Sequence, residues 1–120
     1  MARILLADDD KATRDLVKRA LESEGHAVEV TQDGAEALEK LKSAPVAVDV
    51  LVSDVHMPGI DGIDLAGQAV AVQPALKVLF MSGFPEELER AKAVKAARLG
   101  VLTKPFTLEQ VRAAVRSLIG

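Results

Sequence analysis

The chain contains no cysteine, no tryptophan and no tyrosine. Without thiols there are no disulfides, no zinc-thiolate centres and no thiol catalysis. Three phenylalanines are the whole aromatic complement, so the core has to be packed from Ala, Val and Leu, which carry most of the 49% hydrophobic content. That suits buried parallel strands, which read as Val/Ile/Leu runs. There is no Lys/Arg block and no aromatic-basic stripe, and the net charge of -3 arises from interspersed signs, so direct nucleic-acid binding is not expected. No apolar stretch reaches membrane-spanning length, and Met1-Ala2-Arg3 leads straight into a strand-like run without the pattern of an export signal. These features predict a soluble, cytoplasmic chain, and 120 residues are enough for one core and too few for two, which predicts a single domain over 1–120.

What is present is an alternation. Short runs rich in Val, Ile and Leu alternate five times with amphipathic segments of about a dozen residues, the pattern of βα units and a parallel sheet. Strands are predicted near 3–7, 27–31, 48–53, 77–81 and 100–103, and helices near 11–24, 34–43, 62–72, 86–97 and 107–119. Leu16, Ala20 and Leu21 give the first helix an apolar stripe. Gly25 closes that helix, Asp33 with Glu36 and Thr107 with Gln110 resemble capping boxes, and Pro85 before Glu86-Glu87 suits a helix start.

Acidic residues stand at two of the strand ends. Asp54 directly follows the run 48–53, and Asp8-Asp9-Asp10 follows Ile4-Leu5-Leu6-Ala7. In a parallel sheet both groups emerge at one edge, where open α/β sheets bind ligands. Converging carboxylates repel one another unless a cation or protons compensate. Mg²⁺ prefers oxygen ligands, keeps several waters and is held by one or two carboxylates, which fits Asp9, Asp54 and a water-mediated Asp8. Taken alone, Asp8-Asp9-Asp10 reads more readily as a solvated turn with an N-cap. Ser82 and Lys104 close the fourth and fifth strands. Singly they read as a turn residue and a surface charge; together, beside an aspartate, a hydroxyl and an ammonium can bind the oxygens of a phosphoryl group.

These residues resemble the receiver domains of two-component response regulators over essentially the whole chain. Asp8-Asp9 resembles the family's acidic pair, Asp54 in Ser53-Asp54-Val55-His56-Met57-Pro58-Gly59-Ile60-Asp61-Gly62 its phosphoacceptor, Ser82 its switch hydroxyl and Lys104-Pro105 its lysine motif. The resemblance implies a doubly wound (βα)5 flavodoxin-like fold with the sheet order 2-1-3-4-5 known from a chemotaxis receiver. It also implies that Asp54 accepts a phosphoryl group from a histidine kinase or histidine phosphotransfer protein, with Mg²⁺ as cofactor and the main-chain carbonyl of His56 completing the metal site. Such a chain is a signalling domain that assists its own phosphorylation and dephosphorylation. It binds a downstream protein, or a second copy of itself, through the fourth helix, fifth strand and fifth helix.

The chain departs from the family pattern in places. Val101 stands where many receivers carry a switching aromatic, and it reads as packing; Phe84 is either a substitute or a contact at a helix start. His56 reads as a residue that tunes the lifetime of the acyl phosphate or as a solvated loop histidine, and His26 as structural. Asp61 and Asp64 suit the start of a helix, and Pro105 is associated in this family with a cis peptide bond. Val101, Val111 and Val115 are expected to form an exposed apolar patch. Two competing readings are a haloacid-dehalogenase-type phosphohydrolase, which normally needs a second Asp where His56 stands, and a receiver-like interaction module that is never phosphorylated. No effector region follows the last helix within these 120 residues, so the expectation is a stand-alone regulator of the CpdR type or a receiver excised from a longer protein.

Overall fold

A computed structural model describes residues 1–43 and 47–120. The five apolar runs form strands β1 (Arg3–Ala7), β2 (Ala27–Thr31), β3 (Val50–Asp54), β4 (Lys77–Ser82) and β5 (Arg98–Thr103). Helices α1 (Lys11–Glu22), α2 (Gly34–Ser43), α3 (Gly62–Val72), α4 (Pro85–Ala91) and α5 (Leu108–Ile119) follow them in turn. All strand pairs are parallel, in the order β2-β1-β3-β4-β5. This is the doubly wound fold that the alternation predicts.

Strand side chains alternate between the two faces of the sheet, and each face needs its own helical cover. Leu5, Leu51, Val78 and Phe80 point to one face and pack with Leu38 and Leu41 of α2, Leu65 and Ala69 of α3 and Leu88 of α4. Ile4, Leu6, Val50, Val52, Leu79 and Met81 point to the other and pack with Val17 and Leu21 of α1 and Val111, Val115 and Leu118 of α5. Phe80 is fully buried at the centre of the first face, while nearly all the remaining core volume is aliphatic.

The helix ends follow their signals with one partial exception. Asp10, Asp61 and Thr107 are N-caps, and Thr107 with Gln110 forms the complete capping box. Asp33 accepts from the Glu36 amide at 2.8 Å, but the Glu36 carboxylate reaches the Gln32 amide at 3.3 Å, so the reciprocal half of that box is displaced by one residue. Gly25 sits at φ +89, a left-handed conformation that glycine adopts without strain.

Two expectations need correction. The fourth helix ends at Ala91, not residue 97, whereas β3 and β5 begin within two residues of expectation, at Val50 and Arg98. The Ala-rich stretch 92–97 is a good helix former, but Lys77 pairs with Arg98 at the start of the β4–β5 ladder, and the Ala97 amide bonds the Leu76 carbonyl at 3.2 Å. Tertiary pairing therefore unwinds it. Val94 and Ala96 pack on the core below. The apolar patch is also different: Val111 and Val115 are fully buried against the sheet, and Val101 is partly buried against the core, so they do not form an exposed surface.

Candidate functional site

The sheet register builds the site. Ala7 pairs with Ser53, Asp54 with Met81 and Ser82 with Thr103, so Asp8, Asp54, Ser82 and Lys104 emerge side by side at the carboxyl edge. Asp54 is the last residue of β3 and is buried, Asp8 is fully buried and Asp9 is exposed. Carboxylate oxygens of these three residues lie within 4.8 Å of one another. The acidic run divides at Asp10, whose carboxylate caps α1 by accepting from the Thr13 amide at 3.0 Å and the Thr13 hydroxyl at 2.6 Å. The N-cap reading of the triplet thus holds for Asp10, while Asp8 and Asp9 stay with the carboxylate cluster.

Close backbone packing keeps Asp54 in place. A Cβ added at Gly62 would lie 2.2 Å from the Asp54 carbonyl oxygen and 2.9 Å from the Val55 Cα, so the first turn of α3 lies against the end of β3 at a distance only glycine permits. The Gly62 amide donates to the Val55 carbonyl at 2.8 Å across this contact.

Lys104 supplies the positive charge. Its Nζ donates to Asp54 Oδ2 at 2.9 Å and lies 3.7 Å from Asp8 Oδ2. The Lys104 amide donates to the Ser82 carbonyl at 2.8 Å, and the Lys104–Pro105 peptide bond is cis. Burial works against the Lys104 ammonium, yet the Asp54 hydrogen bond and the charges of Asp54 and Asp8 hold its pKa above the ordinary lysine value. Asp8 moves the opposite way from a usual ion-paired carboxylate: burial raises its pKa from 3.8 to about 6, against the lowering effects of the Asp10 amide and Lys104 and with the repulsion of Asp54 and Asp9. Its Oδ1 accepts from the Asp10 amide at 2.9 Å, while its buried Oδ2 has no hydrogen-bond partner among the described residues. A buried carboxylate oxygen without a hydrogen bond, facing two further carboxylates, is a donor set that suits a hard divalent cation, so these residues fit Mg²⁺.

Ser82 ends β4 and is buried, but its hydroxyl engages α4. It donates to Glu87 Oε1 at 2.6 Å and accepts from the Phe84 amide at 3.0 Å. Sequence reasoning did not find Glu87, reading Glu86-Glu87 only as charges favoured at a helix N-terminus. The His56 amide approaches Asp54 Oδ1 at 3.4 Å, and its imidazole, 82% exposed, has Nδ1 4.0 Å from Glu87 Oε2. His26 is structural, its Nδ1 accepting from the Ala2 amide at 3.1 Å. Asp61 caps α3 by accepting from the Asp64 amide at 2.8 Å, which places both away from the acidic cluster's chemistry. Phe84 is 56% exposed at the start of α4.

Comparison with known proteins decides the family. The family model described as response regulator receiver domain matches residues 4–116. The chain belongs to the response regulator receiver domain family. The chain is 38% identical to response regulator MprA of Mycobacterium ulcerans over 117 residues, covering 98% of this chain and 50% of that protein. It spans half or less of the length of the curated relatives it matches. Among solved structures, it resembles chemotaxis response regulator CheY4 of Vibrio cholerae with a TM-score of 0.86, 32% identity and 98% coverage of both chains. It also resembles response regulator protein TrrA of Thermotoga maritima in complex with Mg²⁺ and BeF, with a TM-score of 0.81, 28% identity and coverage of 98% and 99%. Receiver domains of two-component systems bind Mg²⁺ at an acidic pocket, and this chain has an acidic cluster of that kind. They interact with histidine kinases and downstream targets, and they are signalling domains rather than enzymes in the ordinary sense. The haloacid-dehalogenase and interaction-module readings are not favoured by these matches. Among the described residues, no helix is long and apolar enough to cross a membrane.

Proposed function

We propose that residues 1–120 act as one receiver domain in the cytoplasm, in which Asp54 is the phosphoacceptor, Lys104 and Ser82 bind the phosphoryl group, and Asp8, Asp9 and Asp54 hold Mg²⁺ with the main-chain carbonyl of His56. The observation that carries this reading is the Lys104 ammonium 2.9 Å from the buried Asp54 carboxylate, beside Asp8 Oδ2, which has no hydrogen bond among the described residues. An Asp54 oxygen attacks the phosphorus of a phosphohistidine on a kinase or phosphotransfer protein. The N–P bond breaks, its electron pair returns to the imidazole nitrogen, and an aspartyl phosphate forms. Lys104 faces the transferring oxygens and offsets their charge, and Asp8 would join the metal site through water. Bound Mg²⁺ supplies charge neutralisation at the transferring group. Water later attacks the same phosphorus, the bond between phosphorus and the Asp54 oxygen breaks with its electron pair returning to the carboxylate, and phosphate leaves, a step the domain assists through Lys104. His56, whose amide lies 3.4 Å from Asp54 Oδ1 and whose imidazole is exposed, tunes access of that water.

Phosphorylation replaces one carboxylate charge with a group carrying about 1.5 to 2 negative charges. Ser82 then turns from α4 to a phosphoryl oxygen, and the face formed by α4, β5 and α5 engages a downstream protein or a second copy of the chain. The test is intact-mass spectrometry after incubation with acetyl phosphate, with and without Mg²⁺, on wild type and Asp54→Asn. A single Mg²⁺-dependent phosphoryl addition that is lost in the variant is expected. Labelling that persists in Asp54→Asn refutes the assignment of the nucleophile.

A further inference from the structure

Ser82 has one proton to donate, and of its two acceptors Glu87 Oε1 at 2.6 Å is far nearer than the Phe84 carbonyl at 3.4 Å. The Ser82–Glu87 bond at 2.6 Å joins the end of β4 to the first turn of α4 across five residues, and among the described residues the Ser82 hydroxyl makes no hydrogen bond to Asp54. A carboxylate acceptor makes this bond about twice as strong as one between neutral groups. The Glu87 side chain is only 18% exposed, so water competes poorly for either partner. Phe84, the N-cap of α4, offers no side-chain cap, which leaves the Glu87 carboxylate as the side chain tying this helix start to the site.

A phosphoryl oxygen on Asp54 requires the same proton. We propose that Glu87 is a positioning residue of the switch: its carboxylate holds the Ser82 hydroxyl toward α4 in the unphosphorylated domain, and the phosphoryl group on Asp54 has to take the Ser82 proton from it. This inference rests on the roles of Asp54 and Ser82 given above and concerns a residue those roles do not include. It gives the domain a threshold, because the Glu87–Ser82 bond stabilises the inactive arrangement against partial turning of Ser82. It also gives the signal a route outward. When Ser82 leaves, Glu87 loses its shortest partner, and Glu87 is in α4, where its own amide bonds the Phe84 carbonyl at 3.1 Å and Leu88 anchors the helix to the core. Release is thereby felt at the helix that begins the proposed partner-binding face.

The experiment titrates Mg²⁺ with beryllofluoride into wild type, Glu87→Ala and Glu87→Gln, each also in a Ser82→Ala background, following backbone amides by NMR. Side-chain couplings report the Ser82 rotamer before titration. Glu87→Ala is expected to bind beryllofluoride about tenfold more tightly, the scale of one hydrogen bond to a charged group. Glu87→Gln keeps an acceptor oxygen and is expected to stay within about threefold of wild type. In the Ser82→Ala background, Glu87→Ala is expected to make no difference to affinity. The Ser82 rotamer is expected to be single in wild type and averaged in Glu87→Ala. Equal affinities for wild type and Glu87→Ala, an effect that survives in the Ser82→Ala background, or Glu87→Gln behaving as Glu87→Ala overturns the role of Glu87 while leaving Asp54 standing. A wild-type chain that neither binds beryllofluoride nor takes up phosphate at Asp54 overturns the underlying reading, and this inference with it.

Discussion

Replacing Asp8 by Asn should stabilise the Mg²⁺-free protein at neutral pH, although it removes a residue of the site. Asp8 is fully buried, its Oδ2 has no hydrogen-bond partner among the described residues, and burial raises its pKa from 3.8 to about 6. At pH 7 to 8 the carboxylate is nevertheless ionised, and folding bears the cost. A rise from 3.8 to about 6 corresponds to about 3 kcal/mol, and water reaching the cluster beside exposed Asp9 screens part of it, leaving about 2 kcal/mol. Asn retains the oxygen that accepts from the Asp10 amide and carries no charge.

The sign of the pH dependence follows from which state binds the proton. Between about pH 4 and 6 folded Asp8 holds a proton that the unfolded chain has released, so wild-type stability from this group falls as pH rises through that window. Below it both states are protonated and the cost vanishes. The difference between Asp8→Asn and wild type, measured by urea unfolding in chelator, should therefore be near zero at pH 3.5, grow across pH 4 to 6 and level off at about 2 kcal/mol, equivalent to about 8 °C in Tm for a chain of this size. Saturating Mg²⁺ should close the gap by stabilising wild type more than the variant. A variant no more stable than wild type at pH 8, or a difference independent of pH, would refute the reasoning.

Lys104→Ala leaves the Asp54 and Asp8 carboxylates without the ammonium at 2.9 and 3.7 Å, and should cost about 1–2 kcal/mol at pH 8 in chelator, with part recovered at pH 5 as Asp8 takes up a proton; the same loss at both pH values argues against a charge origin. Gly62→Ala would drive a Cβ to 2.2 Å from the Asp54 carbonyl oxygen, where backbone rather than a flexible side chain must move, and should cost about 3 kcal/mol or more by thermal or urea unfolding; wild-type stability would show that α3 does not abut the end of β3.

The parts of this molecule that were legible in its sequence are those set by period and position. Alternating apolar runs and amphipathic segments predict five parallel strands because a buried strand and a half-buried helix demand different spacings, and the five strands and five helices form accordingly. Asp8, Asp9, Asp54, Ser82 and Lys104 come together because a parallel sheet brings all its strand ends to one edge, so position along the chain translates into proximity. Proximity at that edge does not assign roles within it. Asp10 left the cluster to cap α1, a choice made by the Thr13 amide and hydroxyl, which spacing alone does not reveal. The end of α4 was missed because 92–97 has helical composition, and only pairing with β4 draws its end into β5. Val111 and Val115 were placed at the surface because four-residue spacing identifies a helix face without saying whether sheet or solvent lies beside it.

The same distinction separates Glu87 from the rest of the site. Nothing in the order of residues announces a pairing between Ser82 and a glutamate five positions on, since it needs the short loop at Gly83 and Phe84, a helix starting at Pro85 and a particular rotamer of each partner. Once formed, it changes how the charges balance. Three carboxylates at the strand ends face one ammonium, an arrangement that stores in Asp8 an unfavourable free energy that a cation would relieve. The Ser82 hydroxyl at the end of β4 donates to a fourth carboxylate, on α4. A site left short of positive charge and short of donors is one in which a cation and a phosphoryl group have most to gain by arriving together. That deficit is a physical reason for the resting domain to stay in its resting state until both are present.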